Sequence, residues 1–193
     1  DEKFVALHKM AHVSGVTPAL SPSALRAADT FLRVARDAGV TTVFDLNYRS
    51  KLWSADDAAP ALAGLANKAD IVMGGAAEWT LAFGSDDLRK ISLASASVLV
   101  RTDGPHPVTA LVEGQLISQD TMTTHVVDVV GAGDAFVGGV LSARLAGADW
   151  PSALRQGTYC GARVVSSFGD WTNLPWGTHG LVTGPLDEQE VLR

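Results

Sequence analysis

Residues 126–139 read VVDVVGAGDAFVGG and combine two glycines with a carboxylate at the point where an apolar segment turns into a helix. Gly131 and Gly133, with Ala132 between them, let the backbone approach an anion closely. The first N–H groups of a helix beginning near Asp134 would point outward with the positive end of the helix dipole behind them. That arrangement is an anion hole. A carboxylate at its mouth works against simple phosphate binding, because like charges repel. It makes sense if Asp134 takes a proton from a hydroxyl whose oxygen then attacks a phosphoryl group. The plain alternative is a turn with Asp134 as helix cap, and for the triplet alone it is the commoner case. A dinucleotide fingerprint would need a third glycine where Phe136 stands, and the chain has no Gly-x-x-x-x-Gly-Lys-Ser/Thr run.

A second constellation is Asp45-Leu-Asn-Tyr-Arg-Ser-Lys-Leu-Trp53. Asp45, Asn47 and Arg49 fall at the C-terminal end of a predicted strand, where open α/β sheets bind ligands. Arg49 offers a planar fork suited to a carboxylate, which a neutral sugar would not need. Its plain alternative is a surface ion pair with Asp56 or Asp57. The five histidines are scattered without metal-ligand spacing. Ser142, Cys160 and Ser166 lie on predicted helices, and no nucleophile elbow accompanies them. Trp150, Trp171 and Trp176 read as packing residues.

Strands and helices must alternate to position these groups. Predicted strands cover Met10–Ser14, 40–46, 71–73 and 98–101, each rich in β-branched residues. Helical spacing of apolar residues covers 23–38, stopping at Gly39, then 55–66 and 79–83. This order implies βαβ units and a parallel sheet. Residues 108–113 and 115–119 flank Gly114 and read as an antiparallel hairpin. Long helices follow at 133–145 and 152–168, and 169–193 reads as mostly irregular. No repeat or linker interrupts the chain, so 1–193 is read as part of one domain.

Composition limits the partners. Hydrophobic residues make up 47% of the 193 and charged residues 19%, the balance of a globular chain with a core. A net charge of −6 without a basic stripe argues against a nucleic-acid partner. No apolar run is long enough to span a membrane. The lone Cys160 excludes an internal disulfide and fits a reducing, cytoplasmic setting. The chain opens Asp1-Glu2-Lys3, without Met, directly on a globular pattern, so it is expected to begin inside a longer protein.

The run Asp128-Val-Val-Gly-Ala-Gly-Asp-Ala-Phe136 resembles the C-terminal signature of the ribokinase-like (phosphofructokinase B-type) carbohydrate kinases, and the likeness extends over nearly the whole chain. His12-Val-Ser-Gly15 is similar to the family's strand-and-glycine segment. The Asp45–Trp53 run and Gly169-Asp-Trp-Thr-Asn-Leu-Pro175 resemble segments of the 2-keto-3-deoxygluconate kinases. The resemblance implies a ribokinase-like three-layer α/β/α sandwich with a mainly parallel sheet and a C-terminal antiparallel hairpin, the lid and N-terminal strands being missing. It implies ATP-dependent phosphorylation of a sugar-acid hydroxyl, with ATP and Mg²⁺ as cofactors and homo-oligomers open. Asp134 would be the base and Gly131, Ala132 and Gly133 the anion hole. Asn47, Arg49, Arg101, Thr102 and Gly104 would meet the nucleotide, and Arg49 and Asp170 the substrate.

Departures from the family pattern bear on that expectation. An Asn-x-x-Glu element that organises Mg²⁺ appears here as Gly75-Ala-Ala-Glu78, which leaves Glu78 to act on the metal indirectly. The nucleotide loop, usually Lys-x-Gly-x-x-Gly, appears as Arg101-Thr-Asp-Gly-Pro-His-Pro107. These changes favour an alternative, a non-catalytic nucleotide-binding module derived from such a kinase. A fructokinase, ribokinase or nucleoside kinase sibling is a further one.

Overall fold

Four runs of β-branched residues pair as parallel strands, and one row of side chains shows what holds them. The computed structural model describes residues 2–122, 124–169 and 174. In it β1 (Met10–Ser14), β2 (Thr41–Asp45), β3 (Ile71–Gly75) and β4 (Val98–Asp103) lie side by side in that order. Their register aligns Val13, Phe44, Val72 and Leu99 across the sheet. This row is buried in one cluster with Leu32, Leu62, Leu65 and Trp79 from the connecting helices. Val43, Ile71 and Val98, on the opposite face, are buried as well. Burial on both faces is what a parallel sheet in a layered α/β architecture requires.

The crossovers carry their own start and stop signals. After α1 (Glu2–Val5) and β1 come α2 (Val16–Ala19) and α3 (Pro22–Asp37). The Ser21 hydroxyl accepts from the Ala24 N–H at 3.1 Å, Pro22 takes the first helical position, and Gly39, at φ +74°, ends α3. Ser54 caps α4 (Ala55–Ala66) in the same way. The helix α5 (Ala76–Phe83) begins three residues ahead of the expected start, because Gly75 serves as its N-cap. The helices α1 and α2 and a 3-10 turn at Leu88–Lys90 went unpredicted; each is too short for periodicity to show.

From β4 the chain passes through β5 (His106–Val112) and β6 (Gln115–Gln119), which extend the sheet to six strands. Each link is too short for a crossover, so these strands run antiparallel. The expected hairpin is present and starts two residues earlier. Its turn places Glu113 at φ 50° and Gly114 at φ 81°, the pair of left-handed residues a tight hairpin needs.

The chain divides into two compact units, one reaching to Asp103 and including Thr109–Leu116, the other comprising Gly104–Val108 and the residues from Ile117 onward. In the second, α6 (Ala132–Leu145) packs on α7 (Trp150–Val165) through glycines. A Cβ at Gly139 would lie 2.8 Å from the Gln156 carbonyl oxygen, and one at Gly157 2.8 Å from the Phe136 ring. Asp149 caps α7 by accepting from Ser152 at 2.9 Å, and the Arg144 guanidinium lies 4.6 Å from the centre of the Trp150 ring. The second long helix ends at Val165, three residues short of expectation. The expected irregular tail lies outside the described residues except at Gly169 and Leu174. Among the described residues no helix is long and apolar enough to cross a membrane.

Candidate active site

The C-terminal end of β2 is shaped by two close approaches. The Leu46 N–H donates to the Met73 carbonyl at 2.8 Å, and the Gly15 N–H to the Asp45 carbonyl at 2.8 Å. A Cβ at Gly15 would stand 1.9 Å from the Leu46 oxygen, and one at Gly74 2.7 Å from the Leu46 side chain. Leu46 therefore passes between two positions where only hydrogen fits, which fixes where Asn47 emerges. Asn47 is buried and takes φ 34°, a conformation that asparagine tolerates better than most residues. The next N–H, of Tyr48, donates to Glu78 Oε1 at 2.7 Å, and the Tyr48 hydroxyl donates to the Trp53 carbonyl at 3.2 Å. Arg49 follows with its side chain exposed. Among the described residues no ion pair joins it to Asp56 or Asp57, and the Asp57 carboxylate accepts from the Ser54 hydroxyl instead.

Strand register brings other expected residues to the same edge. Gly74 pairs with Arg101 and Gly75 with Thr102. The Arg101 guanidinium is held by two carboxylates, with Nε 3.2 Å from Asp86 and an amino group 2.9 Å from Asp103. The Asp86 contact is an ion pair without hydrogen-bond alignment, since Nε is buried and lacks a well-directed acceptor. Thr102 Oγ1 lies 3.5 Å from the Gly74 carbonyl, at the limit of a hydrogen bond. Gly104, at φ 55°, forms the turn into β5. Glu78 sits at the third position of α5, and its second oxygen accepts the Gly75 N–H at 2.7 Å. Gly75 has no side chain to return the bond, so only half of a capping box is made. Among the described residues no group of three or more His, Cys, Asp or Glu side chains could hold a metal ion.

The glycine–aspartate turn belongs to the second unit. Val127 N–H donates to the Val165 carbonyl at 2.7 Å, tying the approach segment to the end of α7. The Asp128 carboxylate accepts from the Val130 N–H at 3.0 Å, a local Asx turn that the Asp-Val-Val spacing permits and that had no predicted role. Gly131 then adopts φ 82° as the N-cap of α6. The helix begins at Ala132, one residue ahead of the expected range of 133–145. Asp134 is its third residue and so is not the cap that the plain alternative required. Both Gly133 and Asp134 are exposed. A Cβ at Gly133 would meet no atom of another described residue within 4 Å beyond its own helical turn, so packing among the described residues does not demand glycine there. The carbonyl of Ala132 lies 3.4 Å from a Cβ built at Gly161, which sets α7 close beneath the turn. Below it Cys160 is buried, and that burial pushes its thiol pKa up, partly offset by a hydrogen bond from Gln156.

Thus Asn47, Arg49, Glu78, Arg101 and Thr102 gather along one edge of the first unit, and Gly131, Ala132, Gly133 and Asp134 form one helix start in the second. Asp170 lies outside the described residues. The first turn of α6 suits a phosphate group, having a left-handed glycine cap, space over Gly133 that no other described residue fills and N–H groups without intrahelical acceptors.

Known proteins with the same pattern extend across the chain. The model of the pfkB family of carbohydrate kinases matches residues 1–177. The 2-dehydro-3-deoxygalactonokinase of Haloferax volcanii is 37% identical over 174 residues, covering 82% of this chain and 52% of that protein. The 2-dehydro-3-deoxygluconokinase of Bacillus subtilis is 34% identical over 173 residues, with 85% and 52% covered. The chain thus spans about half the length of these curated relatives. Among solved structures, Salmonella enterica aminoimidazole riboside kinase, bound to its riboside and an ATP analogue, superposes with a TM-score of 0.77 at 27% identity, over 89% of this chain and 61% of that one. The PfkB protein of Polaromonas sp. JS666 gives 0.77 at 29% identity, over 88% and 57%. The six-stranded α/β fold, the glycine–aspartate turn and these relatives agree, and the chain belongs to the pfkB family of carbohydrate kinases.

Proposed function

We propose that the full-length protein phosphorylates a 2-keto-3-deoxy sugar acid, 2-keto-3-deoxygluconate in the first instance, on its primary hydroxyl with ATP. The observation that carries this reading is Asp134 at the third position of a helix whose start is capped by left-handed Gly131 and left open at Gly133 by the other described residues. The Asp134 carboxylate accepts the hydroxyl proton. The hydroxyl oxygen forms a bond to the γ-phosphorus, the bond from that phosphorus to the β,γ-bridging oxygen breaks, and ADP leaves. N–H groups at the Gly131–Gly133 turn stabilise the charge on the transferring group. Mg²⁺, bound to the phosphates, would neutralise part of their charge. Asn47, Arg101, Thr102 and Gly104 are assigned to the nucleotide, Glu78 to the support of that edge, and Arg49 and Asp170 to the sugar acid. The names of the two sugar-acid kinase relatives support the substrate class, as does the exposed guanidinium of Arg49. Use of ATP and a lone free thiol fit action in the cytoplasm.

Two variants test the reading. Asp134→Asn should lower kcat by roughly a hundredfold to ten-thousandfold with ATP binding retained, and a wild-type rate would sink the assignment of the base. Arg49→Leu should cost about tenfold to a hundredfold in kcat/KM for the sugar acid and little for a neutral sugar. Equal losses on both substrates would remove Arg49 from carboxylate recognition.

A further inference from the structure

We infer that Asp103 limits the affinity for the phosphoryl donor, because it holds the Arg101 guanidinium that a nucleotide's phosphates would otherwise take. The inference rests on the kinase reading above, which assigns Arg101 to the nucleotide.

Arg101 and Asp103 stand two residues apart on β4 and so share one face of the sheet. A terminal amino group of Arg101 donates to Asp103 Oδ2 at 2.9 Å, the length of a charge-assisted bond. From the loop after α5, the Asp86 carboxylate stands 3.2 Å from Nε without hydrogen-bond alignment. Asp103 is thus the directed partner and Asp86 the undirected one. Two carboxylates on one guanidinium leave the trio with a negative charge in excess, whereas an edge that receives a polyanion gains from the opposite balance. A guanidinium meets carboxylate and phosphate with the same fork of N–H donors, so the two compete for it. The trio is also open to exchange. The side chains of Arg101, Asp103 and Asp86 are 21%, 39% and 47% exposed, and partly exposed pairs of this kind are weak. Opposite Arg101 on β3 stands Gly74, which brings no side chain of its own to the guanidinium.

Removing the charge while keeping the shape isolates the competition. Asp103→Asn preserves the size of the side chain and an acceptor oxygen for Arg101. The experiment measures ATP binding to the full-length protein by calorimetry, with KM for ATP alongside, in the wild type, Asp103→Asn, Arg101→Met and the double variant. Asp103→Asn should tighten ATP binding about threefold to fivefold and lower KM for ATP in parallel. Arg101→Met should weaken ATP binding, and adding Asp103→Asn to it should bring back little, because the effect passes through the guanidinium. Unchanged or weaker ATP binding in Asp103→Asn would overturn the proposal, as would the full gain appearing without Arg101.

If Asp103→Asn does not fold, Asp103→Ser, which also removes the charge and keeps an acceptor, takes its place with the same expected gain. Wild-type ATP binding in Arg101→Met would overturn the proposal and leave the kinase reading standing, provided the sugar acid is still phosphorylated. A wild-type protein that neither binds ATP nor phosphorylates the sugar acid would instead defeat the kinase reading itself, an outcome separate from any variant's behaviour.

Discussion

A methyl group at Gly133 would meet no atom of another described residue within 4 Å beyond its own helical turn, whereas one at Gly15 would stand 1.9 Å from the Leu46 oxygen. Sequence reasoning picked out both glycines from the company they keep, but their physical demands differ. Gly133 lies in the first turn of α6, where alanine is the better helix former, so Gly133→Ala should leave stability unchanged or raise it by up to about 1 kcal/mol. If a phosphate rests on that backbone, the same variant should lower kcat/KM for ATP by roughly a hundredfold, because a small misplacement of the reacting group is costly. Gly15→Ala should do the reverse. It forces the backbone around Leu46 to shift and should lower stability by about 1–3 kcal/mol. Denaturant unfolding paired with ATP kinetics distinguishes the two, and unchanged ATP kinetics in Gly133→Ala would remove the phosphate from that turn. Asp134 and its glycines were legible because a turn motif spells out backbone chemistry locally. The partners of Glu78 were not, because Tyr48 is 30 residues away and only the pairing of β2 with β3 brings it near.

Elements were readable where they carry punctuation. Gly39 was read as a helix end and the structure uses it, while the caps Ser21 with Pro22 and Ser54, passed over in the sequence reading, start α3 and α4. The start of α5 was missed because its cap is a glycine, which gives no side-chain signal. The start of α7 offers a test of what one cap contributes. The Asp149 carboxyl is held below the ordinary carboxylate range, first by the side-chain hydrogen bond with Ser152, then by the backbone N–H of the same residue, with Arg155 and Arg144 adding smaller attraction. A folded-state value below the unfolded one means the charged cap stabilises the fold fully above the unfolded value. That contribution disappears as pH falls through the folded value, so the window lies below about pH 4. Asp149→Asn keeps a good capping side chain without a titrating group. Its melting temperature should therefore fall less between neutral pH and about pH 3 than that of the wild type, by a small margin because the site is exposed. Identical pH profiles would show that the cap's charge contributes nothing.

At the scale of the molecule, the alternation of strands and helices was enough to give a parallel sheet, and its order β1-β2-β3-β4 follows the sequence order. The division into two compact units was not legible, because no linker or change of composition marks it and its boundaries run through β5 and β6. Whether the units also unfold separately can be asked at Gly139. A Cβ there would lie 2.8 Å from the Gln156 oxygen and 2.9 Å from Cys160 Sγ, so Gly139→Ala should push α6 from α7 at a cost of about 1–3 kcal/mol. If the α6–α7 pair opens on its own, hydrogen exchange should quicken in α6 and α7 and remain at the wild-type rate in β2 and β3. Buried Cys160 should then react with a thiol reagent in proportion to the same opening, since burial otherwise disfavours its thiolate. Equal loss of protection in the strands and the helices would mean that the six-stranded sheet unfolds together with α6 and α7 as one cooperative structure. In that case a lesion beneath the glycine–aspartate turn would weaken the Asn47–Arg49 edge as well.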